Sequence, residues 1–121
     1  MDQFIYKLVN LDNQKVYIGR TTRPKSRAKE HLYSIRRHKH INRLVNNDSE
    51  CKFEFEIIER VPKYSDAVRK EREYMQLYRS YDEQFGYNAL DSKVQTLRRD
   101  AGLPYWDNSS KAREKRWQKL P

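Results

Sequence analysis

Two runs of β-branched and aromatic residues near the N-terminus limit the folds open to this chain. Residues 4–9 and 15–18 flank a loop whose Asn and Asp side chains favour turns, because they can bond their own backbone. The stretch predicts an antiparallel β-hairpin. If the loop holds an even number of residues, Tyr6 and Tyr17 share one sheet face, directly opposite or one diagonal step apart. Two phenols on one face are most often cross-strand packing, so this pair alone does not indicate chemistry.

Length and composition limit the class of protein. The chain has 121 residues, enough for one domain with a modest core and a tail. Its net charge of +9 favours a polyanionic partner, with simple solubility as the alternative. A single cysteine, Cys51, excludes a disulfide within the chain and favours a reducing compartment. No apolar run approaches the roughly 20 residues of a membrane helix and no secretion signal is evident, so we expect a soluble, intracellular protein without membrane contact.

A basic helix is predicted after the hairpin. Pro24, a preceding threonine cap and apolar residues at spacings of four and three predict a helix over residues 24–37. Arg27 and His31 are four apart and lie on one face of it. A guanidinium there can bind a phosphate while the imidazole exchanges a proton, although both side chains can equally be solvated. The basic cluster at 36–40 suits either nucleic-acid contact or the helix C-terminal carbonyls.

The second half of the chain adds a strand and a helix that carries one unusual carboxylate. After a short helix around residues 41–48, residues 52–60 alternate apolar and charged, which predicts a strand with one buried face. Ser65 or Asp66 can cap the next helix. Glu71 falls within its apolar stripe, and a carboxylate there needs a cation, a hydrogen-bond network or a metal. An ion pair with an arginine such as Arg27 and a role as metal ligand both remain open.

A short extended piece closes the predicted core near Leu90. Gly86 can take a positive φ that turns the chain back to the sheet, and Asn88 can either bond the hairpin or point into a cleft. The element order predicts an α/β (α+β) fold with a small, mainly antiparallel three-stranded sheet flanked by helices. We divide the chain into a domain at 1–91 and a basic, helical C-terminal extension at 92–121.

Five separated features together resemble the catalytic domain of GIY-YIG endonucleases, particularly the phage and intron-associated homing branch. In chain order they are Phe4-Ile5-Tyr6 with Tyr17-Ile18-Gly19, Arg27 with His31, His40 before a short helix, Glu71 followed by Tyr74, and Gly86-Tyr87-Asn88. The resemblance covers about residues 4–90. Phe4 stands where the name-giving glycine usually is, and we expect this departure to affect backbone packing more than chemistry.

The resemblance implies a metal-dependent DNA endonuclease that hydrolyses phosphodiester bonds, of the homing type. Glu71 would hold a single Mg²⁺ or Mn²⁺, because hard cations prefer oxygen ligands. Arg27 would neutralise the phosphate, and Tyr6 would activate the attacking water with its pKa lowered by nearby cations. The other catalytic candidates, which would orient water, relay protons or support the site, are Tyr17, His31, His40 and Asn88. Which of the two phenols is the base stays open.

The implied partner is DNA, taken to be double-stranded. The predicted DNA-binding residues are Arg20, Arg23, Arg36, Arg37, Lys39, Arg98, Arg99, Lys111, Arg113, Lys115 and Arg116. In the extension, one helix ending at Gly102 and a second starting at Asn108 or Ser109 are predicted, and Trp106 and Trp117 either stack on bases or dock the extension on the core. A non-catalytic nucleic-acid-binding module and an RNA-directed nuclease are the alternatives. The homing branch further implies a phage-encoded protein acting in the host cytoplasm.

Overall fold

A three-stranded antiparallel sheet with helices on both faces forms the centre of the computed structural model, which describes residues 1–106. The strand order is β2-β1-β3, so β1 lies in the middle and β2 at one edge. The elements are β1 (Gln3–Asn10), β2 (Val16–Thr21), α1 (Pro24–Arg36), α2 (Arg43–Asn47), β3 (Phe53–Val61), α3 (Tyr64–Tyr78) and α4 (Gln95–Asp100), with a 3₁₀ turn at Ser92–Val94 before α4. The predicted fold class is confirmed.

The register of the hairpin places the two tyrosines on one face. Tyr6 pairs with Gly19 and Leu8 pairs with Tyr17, so the phenols are one diagonal step apart with ring centroids separated by 6.3 Å. Asn10 holds the loop through its Oδ1, which accepts a hydrogen bond from the backbone N–H of Asp12 at 2.9 Å. The hairpin is confirmed, and of the loop lengths that the sequence left open, the even one is the one that forms.

A β-bulge in β3 turns Glu59 towards α3. Tyr6 pairs with Ile57 whereas Ile5 pairs with Glu59, which leaves one extra residue on β3 between the two pairs. Because neighbouring residues of β1 face opposite sides, the bulge moves Glu59 to the side of Ile5. There its Oε1 accepts a 2.6 Å hydrogen bond from Tyr74 Oη. The alternating pattern predicted the strand but not this change of face.

Two apolar clusters cover the two faces of the sheet. The cluster on the α1 side contains Leu8, Ile35, Val45 and Tyr87. The cluster on the α3 side contains Ile5, Val16, Ile18, Val61, Ala67, Met75, Val94 and Leu97. Val94 and Leu97 extend this core past Leu90, where we expected it to end, because the 3₁₀ turn and α4 fold back onto the α3 side. Within residues 1–106, no helix has the length and apolarity needed to cross a membrane.

The helices begin at residues other than the predicted caps. Arg23 is the N-cap of α1, and Thr21 Oγ1 accepts a 3.0 Å hydrogen bond from the Arg23 backbone N–H just before the helix. Lys63 is the N-cap of α3, so Asp66 lies in the first turn, where its charge still favours the helix N-terminus. The helices were therefore predicted correctly and their caps were wrong.

Gly86 is required for a close approach and not for a positive φ, which it does not adopt. Tyr87 N donates to Val16 O at 2.9 Å, forming an isolated parallel bridge between Val16 and Gly86 at the sheet edge. A Cβ on Gly86 would lie 2.5 Å from both Ser80 Cα and Val16 O. Gly86 thus returns the chain to the sheet, as expected, but it does so by allowing close contact between backbones.

Arg98, which we predicted to bind DNA, is buried in the fold. Its side chain is 0% exposed, and its guanidinium donates to Glu83 Oε2 at 2.6 Å, to Tyr81 O at 2.7 Å and to Pro104 O at 3.1 Å. The Trp106 ring lies 5.4 Å from the same guanidinium, so this tryptophan docks on α4. Because the side chain is fully buried and its Nε and Nη1 donate inside the protein, Arg98 is not available to phosphates, and that assignment was wrong.

We expect Arg98→Ala to lower the free energy of unfolding by about 3 kcal/mol, because it leaves a carboxylate and two carbonyls without their donor. Arg99→Ala is the matched control, since Arg99 is the next residue and its side chain is 76% exposed beside Asp100. That control should change the free energy by less than about 0.5 kcal/mol. Urea denaturation measures both variants, and similar small losses would contradict the structural role of Arg98.

Candidate active site

A chain of buried hydrogen bonds joins the hairpin to α1 and to the loop before α2. Tyr6 Oη lies 2.8 Å from His31 Nε2, and His31 Nδ1 lies 2.7 Å from His40 Nε2. The backbone N–H of Asn42 donates to His40 Nδ1 at 3.0 Å. The Phe55 ring stacks on Tyr6 with centroids 4.6 Å apart. Residues 6, 31 and 40, distant in sequence, are therefore one connected unit.

Burial keeps both histidines of this chain neutral. Burial, the His40 imidazole and the Arg27 guanidinium together lower the pKa of His31 to about 3. Burial also lowers the pKa of His40 from its ordinary value. Two adjacent imidazoles cannot both take up protons in a site that disfavours positive charge. At neutral pH the pair is therefore uncharged.

The Asn42 amide fixes where the protons of the chain lie. Because this N–H donates to His40 Nδ1, neutral His40 carries its proton on Nε2 and donates it to His31 Nδ1. Neutral His31 then carries its proton on Nε2 and donates it to Tyr6 Oη. Tyr6 thus accepts a hydrogen bond from His31, which leaves its own hydroxyl proton free for another partner.

We expect stability to fall as the pH drops from about 6.5 towards about 3. In that window unfolded His31 binds a proton at its ordinary pKa of 6.5, whereas folded His31 resists protonation down to about 3. Above the window His31 is unprotonated in both the folded and the unfolded state, so the free energy of unfolding no longer changes with pH through this group. The loss is at most about 1.4 kcal/mol per pH unit for one group. Urea unfolding across this range should give a shallower slope for His31→Gln, and His38→Gln, which removes an exposed imidazole, should keep the wild-type slope.

The pKa of Tyr6 is raised, contrary to our prediction. Burial raises it most, Tyr17 and Glu71 add to the rise, and the Arg27 guanidinium opposes it only in part. Burial likewise raises the pKa of Tyr17 to about 12, with contributions from Asp91 and Glu71. The prediction was wrong because removal of the phenol from water outweighs the nearby cation. Both phenols are neutral in this state.

Gly19 gives the Tyr6 ring its place. A Cβ at Gly19 would lie 2.4 Å from Tyr6 Cζ and 2.4 Å from Tyr6 Oη. Such contacts are far inside van der Waals distance, so the ring passes directly over the bare Cα. The position of the Tyr6 ring therefore requires a glycine at residue 19.

Asn88 holds β2 from the side opposite to β1. Its Oδ1 accepts a hydrogen bond from Ile18 N at 2.8 Å, and its Nδ2 donates to Ile18 O at 3.0 Å. Of the two alternatives, the bond to the hairpin is the one that forms. Because Ile18 lies between Tyr17 and Gly19, Asn88 is a positioning residue for both.

Glu71 is buried on the other face of the sheet and is only 5% exposed. Its Oε1 lies 3.6 Å from Arg20 Nε and 3.2 Å from Lys93 Nζ. The arginine partner is thus Arg20 and not Arg27, which instead pairs with Glu30 at 3.0 Å on the surface of α1. The predicted burial of this carboxylate is confirmed, whereas the suggested partner was wrong.

The Glu71 carboxylate opens into a cleft of about 370 Å³, lined by Arg20, Tyr64, Val68, Glu71, Arg72, Met75 and Lys93. Arg20, predicted to bind DNA, belongs to this cleft, where its guanidinium lies 4.8 Å from the Tyr64 ring centroid. Sequence reasoning missed Lys93 as a site residue. It lies in the extension, and no local pattern shows that the extension folds back against α3.

Glu71 is the carboxylate of this cleft that could hold a hard divalent cation, and it lies there beside Arg20, Arg72 and Lys93. Mg²⁺ typically binds one or two carboxylates and keeps several waters. Glu71 supplies such a carboxylate, held in place by burial and open to the cleft on one side. Within residues 1–106, no group of three or more His, Cys, Asp or Glu side chains gathers as a closed metal cage. A cation here would therefore depend on water and substrate oxygens for its remaining ligands.

A family model of the GIY-YIG catalytic domain matches residues 2–88. The chain belongs to the GIY-YIG family. It is similar to a point mutant of the catalytic domain of intron endonuclease I-TevI, with 25% identity over 76% of this chain and 97% of that one and a TM-score of 0.64. It also shares its fold with the catalytic domain of homing endonuclease I-TevI, with 20% identity over 69% of this chain and 96% of that one and a TM-score of 0.61. A search of curated proteins gave no match.

The predicted family and enzyme class are confirmed, so the protein is a GIY-YIG endonuclease. Tyr6 and the Glu71 carboxylate lie on opposite faces of the sheet. Tyr6 and Ile5 are neighbours on β1 and so face opposite sides, and Ile5 pairs with Arg20, whose side chain contacts Glu71. The edge strand β2 separates them. The Glu71 carboxylate nevertheless raises the pKa of Tyr6 and of Tyr17, so the two groups act on each other electrostatically.

The predicted DNA-binding residues of this GIY-YIG endonuclease differ in solvent exposure. Those that are exposed are Arg23, Arg36, Arg37, Lys39 and Arg99. The Arg37 guanidinium lies 4.7 Å from the Tyr33 ring centroid. Lys111, Arg113, Lys115 and Arg116 lie outside the described residues, as do the second predicted helix and Trp117.

Proposed function

We propose that this GIY-YIG endonuclease hydrolyses phosphodiester bonds of double-stranded DNA in a metal-dependent reaction, as a homing-type enzyme. The observation that carries the proposal is the buried Glu71 carboxylate, which lines a cleft of about 370 Å³. Arg20 and the half-exposed Lys93 balance its charge in the free protein, and a divalent cation could take their place when phosphate oxygens complete its ligands. Binding alone has no need of such a group.

Phosphodiester hydrolysis needs positive charge at the non-bridging oxygens, an acceptor for the proton of water and help for the leaving oxygen. Arg27 would supply positive charge. Its pair with Glu30 is exposed and so contributes little, which leaves the guanidinium able to exchange to a phosphate. Glu71 would hold Mg²⁺ or Mn²⁺, which when bound neutralises phosphate charge and acidifies a water ligand.

We assign the role of general base to Tyr6 in preference to Tyr17. Tyr6 Oη receives a hydrogen bond from His31 Nε2–H, which would stabilise a phenolate at that oxygen. Because Tyr6 is a neutral phenol in the free protein, it would act as base only after its own hydroxyl proton has passed to solvent, and a cation bound at Glu71 would favour that loss by removing a minor cause of the raised pKa of Tyr6. Tyr17, whose ring is 6.3 Å away, would orient the attacking water. His40 and Asn42 would hold His31 in the tautomer that donates to Tyr6.

The exposed cations of α1 and of the loop after it would bind the DNA backbone, which follows from their charge and position. The basic residues at 111–116 would extend that contact from the C-terminal extension. The family match to residues 2–88 ends close to the proposed division at residue 91, although Val94 and Leu97 of the extension pack into the core of the nuclease domain. The intracellular location and the phage origin implied by the homing branch remain predictions.

Cleavage of supercoiled plasmid tests the proposal. With Mg²⁺ or Mn²⁺ the protein should nick or linearise the plasmid, and with EDTA in place of the metal it should leave the plasmid intact. Tight binding without cutting, across several DNA substrates and both metals, would count against the enzyme on DNA. Cutting of a structured RNA but not of DNA would transfer the activity to RNA.

A further inference from the structure

The Lys93 side chain contacts two carboxylates, those of Glu71 and Asp91. Its Nζ lies 3.2 Å from Glu71 Oε1 and 3.6 Å from Asp91 Oδ2. An ammonium between two carboxylates takes the place that a divalent cation would otherwise fill, because both kinds of cation bind the same oxygens. Lys93 lies beyond residues 2–88, to which the family model matches. The contact is thus made by a residue of the extension, outside the part of the chain that the family model covers.

The backbone of Lys93 is held in place from both sides. Arg72, the residue after Glu71 on α3, donates to Lys93 O at 2.7 Å and to Thr96 Oγ1 at 2.7 Å. Asp91 Oδ1 accepts a hydrogen bond from Lys93 N at 3.0 Å, which begins the 3₁₀ turn. Because the backbone is anchored while the side chain is 53% exposed, the ammonium can leave Glu71 without movement of the turn.

We propose that Lys93 is a built-in competitor of the metal at Glu71. In the free protein the ammonium lies on Glu71 Oε1, which Arg20 Nε also approaches at 3.6 Å, and a divalent cation takes that oxygen only after the ammonium has moved away. The apparent dissociation constant for the metal is then the intrinsic constant divided by the fraction of molecules in which Glu71 is open. The proposal rests on the proposed metal role of Glu71, and it makes metal affinity a property that the extension sets.

Direct measurement of Mn²⁺ binding in the absence of DNA tests this competition, by water-proton relaxation and calorimetry. Lys93→Met should bind Mn²⁺ about three- to tenfold more tightly than the wild type, which is the range expected from removal of a half-exposed ion pair. Lys93→Arg keeps a cation at the carboxylate and should bind close to the wild type. Lys70→Met is the matched control, since Lys70 pairs with Glu59 at 3.8 Å and its loss changes the net charge equally.

The arms of the experiment separate the competition from the metal role itself. Glu71→Gln should lose Mn²⁺ binding, and if it binds like the wild type, the metal role of Glu71 fails and the competition fails with it. If Glu71→Gln loses binding while Lys93→Met equals the wild type, the metal role stands and the competition is overturned. Equal tightening in Lys70→Met would also overturn it, because the effect would then be one of overall charge.

Discussion

Glu71→Gln is expected to reduce cleavage of plasmid DNA by at least about a thousandfold while DNA binding is retained. Removal of a single group that stabilises transition-state charge costs about 10²–10³ in rate, and loss of the carboxylate would remove such a group together with the metal that it holds. Glutamine preserves the size of the side chain and an oxygen near Lys93 and Arg20. The change therefore keeps the volume of the side chain in the buried stripe of α3 and removes the charge that pairs with Arg20 and Lys93.

The control for this variant lies two residues further along the same helix. Glu73 is outside the apolar stripe and pairs with Arg69 at 2.8 Å on the surface, so Glu73→Gln makes the same change in net charge away from the cleft. Glu73→Gln should cleave at close to the wild-type rate. Single-turnover cleavage at saturating protein separates the chemical step from binding. Wild-type cleavage by Glu71→Gln in both metals would falsify the assigned role of Glu71.

Features that depend on local spacing could be predicted from the sequence. The hairpin followed from its two strand patterns and the turn between them, and the parity rule placed Tyr6 and Tyr17 on one face for an even loop, which is the loop that forms. The 3.6-residue period of α3 placed Glu71 on the buried stripe. In both cases the information lies within about twenty residues, where the geometry of a strand or a helix fixes the direction of each side chain.

Features that depend on packing between distant parts of the chain could not be predicted from the sequence. The pairing of Glu71 with Arg20 and Lys93 requires the sheet and the extension to meet α3. The burial of Arg98 requires α4 to pack against residues 81–83, and no periodicity in the sequence predicts either contact. The bulge in β3 is one extra residue within a regular alternation. The pKa of Tyr6 was predicted in the wrong direction because its sign depends on the balance between burial and nearby charge, and burial outweighs the cation.

Gly19→Ala is expected to reduce cleavage by about a hundredfold or more and to lower the free energy of unfolding by about 1–3 kcal/mol. The new Cβ would lie 2.4 Å from Tyr6 Cζ, so the ring must move. It cannot move freely, because Phe55 stacks on it at 4.6 Å and His31 holds its hydroxyl at 2.8 Å. Since φ of Gly19 is not positive, the backbone itself accepts alanine and the effect is one of crowding at Tyr6.

Comparison with two further variants distinguishes displacement of Tyr6 from general loss of stability. Gly102→Ala makes the same change where no atom lies within 4 Å of the new Cβ, although φ there is +79°, so it should cost some stability and leave cleavage near the wild-type rate. If Gly19 acts through Tyr6, adding Gly19→Ala to Tyr6→Ala should reduce cleavage little further, because the ring that it displaces is already absent. Full additivity of the two changes would show that Gly19 acts on the site by another route.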